Sequence, residues 1–263
     1  MAESRSPRRI NAVDRTIDIL ETLRERDGAT VSELADAVDL SAGTVHTYLA
    51  TLSDRGYVSQ RDDEYHVGLF ALPLGEYVRT HSAVYDAAKP VVDELVEETG
   101  EAAHLVVEHH GREIPLYERF GSEAVGERLY EEIKGYPRRN LHCSAAGKAM
   151  LAHATSERRE SLLSDYELVE RTPETTTDEA TLREELEAIR DRGFSRNDEE
   201  QIRGLRAVGA PIRNGGRVQA ALSLSAPTSR LRGQQFASII PERIVQAANV
   251  VEVNLQTTEP GVE

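Results

Sequence analysis

The stretch Ser41–Arg55, SAGTVHTYLATLSDR, carries residue types suited to lying against a nucleic-acid duplex. Read as a helix of about four turns, it places Val45, Tyr48, Leu49 and Leu52 at i, i+3, i+4 and i+7 on one face. Ala42, Gly43, Thr44, His46, Thr47, Ala50 and Thr51 then point elsewhere. They are small or polar, and none is acidic. In a chain of net charge −15, an outward helix face would ordinarily carry Asp and Glu. A helix that enters a major groove and approaches phosphates cannot. Thr44, His46 and Thr47 are the candidates for base edges. Ser41 is placed to cap the helix, where backbone N–H groups can also hold a phosphate. Arg15 and Arg55 are the further phosphate candidates.

Other residues could do different chemistry. His109 and His110 are adjacent, so on a strand they face opposite ways and cannot share one metal. His104, His142 and Cys143 are donors that zinc accepts, but ordinary surface or hydrogen-bonded histidines are the better account of them. Gly147-Lys148 is not a phosphate loop, because His142 stands where the earlier glycine would be needed. Asp198-Glu199-Glu200 reads as a solvated turn rather than a catalytic carboxylate set. Cys143 beside His142 has no Asn or Asp partner that spacing can place. No catalytic set, cofactor site or metal site is assigned.

Composition bounds the rest. At 263 residues the chain suits one or two domains and can bury a core without staples. A single cysteine excludes an intrachain disulfide and fits a reducing cytoplasm. Nothing resembles a secretory leader or a membrane span. The acidic balance argues against general affinity for nucleic acid. The only lysines are Lys89, Lys134 and Lys148, a pattern similar to cytoplasmic proteins of salt-accumulating microbes. In molar salt the Debye length is roughly 3 Å, so short-range contacts decide binding.

The elements around the first helix come in a recognisable order. Residues 1–12 form a polar arm with Arg5, Arg8 and Arg9. Val13–Arg26 reads as a helix with Val13, Ile17, Leu20 and Leu23 inward. Thr30-Val31-Ser32-Glu33 is a capping box opening a second helix. Asp39-Leu40-Ser41 turns into the third. Gly56–Arg61 and Glu64–Gly68 then make a hairpin about Asp62-Asp63. Together these describe a winged helix-turn-helix over residues 1–68. It holds eight arginines against thirteen acidic residues. Residues 69–84 read as a linker helix in which Pro73 must fall in the first turn or kink it. Residues 85–257 alternate strands and helices, an α+β domain. It opens with a helix over 84–99 and a strand at 103–108. Further strands are expected at 114–119, 128–133 and from 194, with a hairpin over 208–225. Helices are expected at 144–154, 181–192 and 236–255.

At this point the chain resembles the IclR-type transcription regulators, nearly end to end. The resemblance rests on Ala12-Val13-Asp14-Arg15, Ser32–Ala35, Thr44–Leu52 and Gly56-Tyr57-Val58. In the C-terminal half it rests on Leu141–Ala152, Gly193-Phe194, Glu199-Glu200, Gly204, Ala210-Pro211 and Ala221–Ser225. It implies a GAF-like effector domain, a homodimer or dimer of dimers, a palindromic operator and a small-molecule effector. By position it implies a pocket in which Ser144, Ala145 and Ala146 offer helix-start N–H groups to a carboxylate. Arg139 and Cys143 lie beside them, and Asn197, Ala207, Ser223 and Ser225 line the opposite wall. The family often has Asp at position 197 and Cys at 207, so a more neutral pocket for a carboxylate or polyhydroxylated ligand is expected. Two other readings remain: an enzyme with an appended winged helix, and a ligand-independent DNA binder.

Overall fold

A computed structural model describes residues 9–125, 140–164 and 166–258. The chain divides into two compact units, Met1–Val78 and Arg79–Glu263.

The first unit holds helices α1 (Asn11–Glu25), α2 (Val31–Val38) and α3 (Ala42–Asp54), then strands β1 (Val58–Arg61) and β2 (Glu64–Val67). The capping box of α2 forms as its sequence requires. The Thr30 N–H donates to Glu33 Oε2 at 2.8 Å, and the Glu33 N–H donates to Thr30 Oγ1 at 3.3 Å. Two N–H groups that the helix cannot satisfy internally are thus paired. The wing pairs antiparallel from Val58↔Val67 to Arg61↔Glu64, with Asp62 at a φ of 54° in the turn. At Gly68 the wing's exit passes so close to the backbone of residue 56 that a Cβ would stand 2.2 Å from the Gly56 carbonyl oxygen. Leu34, Val38, Val45, Leu49, Val58 and Tyr65 close the core with Ile19 and Leu23 of α1.

The buried side of α1 differs from the expected one. Val13 and Ile17 are 52 % and 48 % exposed, while Ile19 and Leu23 are buried. At 100° per residue α1 carries two apolar stripes that share Leu20. One runs through Thr16, Ile19 and Leu23 and meets α2 and β2. The other runs through Ile10, Val13 and Ile17 and stays outside. Helix α4 (Ala71–Thr80) follows, with Pro73 in its first turn. It buries nothing, and Leu72, Leu74, Tyr77 and Val78 are exposed, as are Leu69 and Phe70 before it.

The second unit begins with α5 (Ala83–Thr99), closed by Gly100 at a φ of 70°. Strands β3 (Ala102–His109) and β4 (Arg112–Phe120) come next, then helices α6 (Ala145–His153), α7 (Ser156–Ser164) and α8 (Glu179–Arg192). Strands β5 (Ser195–Asp198), β6 (Leu205–Asn214) and β7 (Arg217–Pro227) lead through a π-helical turn, Gln235–Ile239, into α9 (Ile240–Thr258). The strand expected at 128–133 lies outside the described residues. The sheet is antiparallel in the order β4-β3-β7-β6-β5. Helices α5 and α9 cover one face, and α6, α7 and α8 the other. The alternation of a strand explains both cores. In β7, Leu222, Leu224 and Ala226 pack toward α5 and α9, while Ala221 packs toward α6. Among the described residues, no helix is long and apolar enough to cross a membrane.

Candidate functional site

Helix α3 is held by Val45, Leu49 and Leu52, all buried. Every residue assigned to its outward face is exposed: Ala42, Gly43, Thr44, His46, Thr47, Ala50 and Thr51. No acid lies in its first turn. Ser41 is the N-cap, its Oγ accepting the Thr44 N–H at 3.2 Å and lying 2.8 Å from Thr44 Oγ1. Thr47 Oγ1 donates to the Gly43 carbonyl at 3.0 Å, so its methyl is the part turned outward. Arg55 is the exposed C-cap residue. Arg15, expected to meet phosphate, donates to the Val38 carbonyl at 2.9 Å, with Asp18 at 3.7 Å, and its side chain stays 39 % exposed. It pairs a carbonyl that the end of α2 leaves open.

In the second unit, Ser144 caps α6, accepting the Gly147 N–H at 2.8 Å and donating to Glu113. Beside this cap is a cavity of about 40 Å³, walled by Ser144, Ala145 and Ala146 on one side and Ala207, Ser223 and Ser225 on the other. Six residues from distant parts of the sequence therefore converge. The first-turn N–H groups of Ala145 and Ala146 have no acceptor within the helix by position. Close approach of α6 to the sheet depends on Gly209, where a Cβ would come within 2.7 Å of the Ala145 carbonyl oxygen.

Cys143 and Asn197 are buried but are not among the described residues of that wall. Cys143 donates to the Asn140 carbonyl at 3.6 Å, and burial pushes its thiol up to about 12, with Glu113 and Glu200 adding to the effect. Asn197 Oδ1 accepts the Glu200 N–H at 2.9 Å. Arg139 lies outside the described residues.

The cavity also contains groups that spacing did not place there: His104, Glu113 and Glu118. His104 Nδ1 is 2.9 Å from Glu118 Oε1, and its Nε2 is 3.1 Å from Ser225 Oγ. The cause is a β-bulge. Leu105 pairs with Tyr117 but Val106 pairs with Pro115, so Leu116 is the extra residue. Tyr117 consequently turns to the other face and donates to Asp93 of α5 at 2.6 Å. Glu118 then shares the cavity face with Glu113. A strict period of two from Glu113 would have chosen Tyr117 instead.

The histidines weighed as zinc donors make other contacts. His104 is bound as above. His142 Nε2 lies 3.0 Å from the Val169 carbonyl, and burial holds its ring below the ordinary imidazole range. Among the described residues no three His, Cys, Asp or Glu side chains are grouped to hold a metal. The two-faced reading of His109 and His110 also fails. His110 sits in the hairpin turn at a φ of 50°, and the two rings meet edge to face at 4.3 Å.

The solvated reading of Asp198-Glu199-Glu200 is overturned at Glu200. Lys148 is fully buried, and its Nζ donates to both Glu200 oxygens and to Glu185 Oε1, each at 2.7 Å. The Glu200 carbonyl accepts from Thr175 Oγ1 at 2.6 Å. A chain turn next to the cavity residue Gln201 is thereby fixed to α6.

Two family models cover most of the chain: an IclR helix-turn-helix domain over residues 12–62 and a bacterial transcriptional regulator IclR C-terminal domain over 77–252. This chain belongs to the IclR family of transcriptional regulators. The IclR-family chain is 40% identical over 260 residues to the "Probable HTH-type transcriptional regulator ArcR" of Halobacterium salinarum, covering 97% of this chain and 98% of that one. It is 34% identical to the HTH-type transcriptional regulator BhcR of Paracoccus denitrificans, over 91% and 85% of the two chains. Among solved structures it resembles an IclR homolog complexed with 4-hydroxybenzoate from Microbacterium hydrocarbonoxydans. That match has 25% identity and a TM-score of 0.76, over 94% of this chain and 99% of that one. As an IclR-family regulator, it carries the family's DNA-binding helix-turn-helix in the first unit and an α+β domain in the second.

Proposed function

We propose that this regulator reads a palindromic operator through the outward face of α3 and is gated by a small metabolite taken up between α6 and the sheet. The observation that carries the DNA reading is the bare face of α3, wholly exposed and acid-free in a chain of net charge −15. Thr44, His46 and Thr47 meet base edges; Ser41 and Arg55 hold phosphates. Arg15 donates through Nη1 to the Val38 carbonyl and, with its side chain 39 % exposed, offers its remaining N–H groups to a phosphate. The working division is a DNA-binding domain over 1–68, a linker helix over 69–84 and an effector domain over 85–257.

The effector is a carboxylate or polyhydroxylated molecule, received by the first turn of α6 and by Ser144, Ser223 and Ser225. The Microbacterium hydrocarbonoxydans homolog is complexed with 4-hydroxybenzoate, in keeping with a carboxylate. A cavity of about 40 Å³ holds little more than one water, so the effector must part α6 from the sheet. That displacement is the differential affinity gating requires. A second copy of the chain covers the exposed apolar rows Ile10, Val13, Ile17 and Leu69, Phe70, Leu72, giving a homodimer for a two-fold operator. The protein acts in the cytoplasm, without catalysis or a cofactor.

Selection from a random duplex library should return a palindrome, and sedimentation of the complex should show two chains per duplex, or four for a dimer of dimers. Added 4-hydroxybenzoate, sugar acids or dicarboxylates should change the affinity for that duplex by about 5–150-fold for the right molecule. A non-palindromic consensus, or an affinity that no carboxylate or polyol alters, would count against the proposal.

A further inference from the structure

A second cavity, of about 470 Å³, opens on the opposite face of the sheet, in the layer of α5 and α9. Its size lies within the roughly 300–1,000 Å³ of small-molecule sites. The floor is apolar, formed by Leu224 and Ala226 of β7 and Ile240 of α9. Ile239, the last residue of the π-helical turn, lines it while remaining 39 % exposed. Such turns recur at functional sites.

Two ion pairs stand in the wall, and they differ. Arg230 grips both Glu101 oxygens, at 2.5 and 2.8 Å, and also donates to the Glu123 carbonyl at 2.5 Å. That pair is committed. Arg243 meets Glu98 through one contact of 2.9 Å, with both side chains close to half exposed. An exposed pair of this kind contributes little to stability, so a ligand can engage both charges at little cost. A zwitterion is complementary to them. Its carboxylate suits the Arg243 fork, its ammonium suits Glu98, and an apolar side chain suits the floor.

We infer that this cavity binds a free α-amino acid with an apolar side chain, held by Arg243 and Glu98 over Leu224, Ala226 and Ile240. The site is separate from the proposed effector cavity but shares a strand with it. Ser223 and Ser225 line the effector cavity, whereas Leu224 and Ala226, the intervening and following residues of β7, floor this one. Glu98 and Thr99 in its wall belong to the last turn of α5. An amino acid bound there fastens the end of α5 to the start of α9 and presses on β7, giving the regulator a second input.

Titration calorimetry of L-leucine into the full chain tests this. Two comparison ligands carry one charge each: 4-methylpentanoate, with only the carboxylate, and 3-methylbutylamine, with only the ammonium. Leucine should bind saturably at one site per chain, and each comparison ligand at least about tenfold more weakly. Arg243→Glu and Glu98→Gln should each weaken leucine by a similar factor. The exposed pair leaves their thermal midpoints close to the parent's. Absence of heat at millimolar leucine overturns the inference, as does equal binding of the single-charge ligands. So does a loss of leucine binding in Ala207→Leu with retention in Arg243→Glu, which would put leucine in the effector cavity.

Discussion

Replacing Lys148 with methionine should destabilise the C-terminal unit by about 3–5 kcal/mol, the range for removing one partner of a buried ion pair. In a unit of this size the melting midpoint should fall by on the order of 10 °C. Nζ of Lys148 is the donor to three carboxylate oxygens, and methionine supplies none. Glu200 would be left buried with its charge unmatched. The loss should also depend on pH. Burial already pushes the Glu200 carboxyl above its ordinary value, and Lys148 pulls against that rise. Without Lys148 the folded-state pKa lies further above the unfolded one, so the folded variant binds the extra proton. The deficit relative to the parent is therefore full above the folded pKa and shrinks as pH falls through it. Adding Glu200→Gln to the methionine variant should recover part of the loss at neutral pH. Denaturant titration of the three proteins at two pH values measures this. A methionine variant as stable as the parent at neutral pH would show that the pair is not buried in solution.

The second large effect is on DNA. Thr44→Glu combined with His46→Glu should lower operator affinity by more than about a hundredfold, since each base contact is worth about 1–3 kcal/mol. The helix should survive. Both side chains are exposed, and Ser41 still accepts the residue-44 N–H, which does not depend on the side chain. A carboxylate in the first turn also suits the helix dipole. Mobility shift with the selected duplex reads the affinity, and circular dichroism reads the fold. In high salt the added charges act only over roughly 3 Å, so retained loss there means direct contact with the duplex. Binding within a few-fold of the parent would remove α3 from the interface.

Much of this was legible because the signals were local. The Thr30–Glu33 box, the period of α3, the turn at Asp62 and the glycines closing α5 and α8 each follow from a few adjacent residues. The convergence of Ser144–Ala146 with Ala207, Ser223 and Ser225 came from the family resemblance, not from spacing. What stayed hidden was non-local or degenerate. In α1, two apolar stripes fit the same helical period, and only α2 and β2 decide which is buried. In β4, one extra residue at Leu116 exchanges Tyr117 for Glu118 at the cavity. Lys148 and Glu200 are 52 positions apart, so the acid run at 198–200 looked solvated until its partner was in place. The π-helical turn before α9 has no residue that announces it. Its carbonyls at Phe236 and Ala237 are met by Arg196, 40 and 41 positions away.

Photocrosslinking from α3 decides whether its outward face meets the duplex. Benzoylphenylalanine placed at Thr47 should form a covalent adduct with the selected operator on irradiation. The same group at Asp36, exposed on α2, should not. An adduct from position 36 with none from position 47, in proteins that both shift the DNA, would mean that another surface reads the operator.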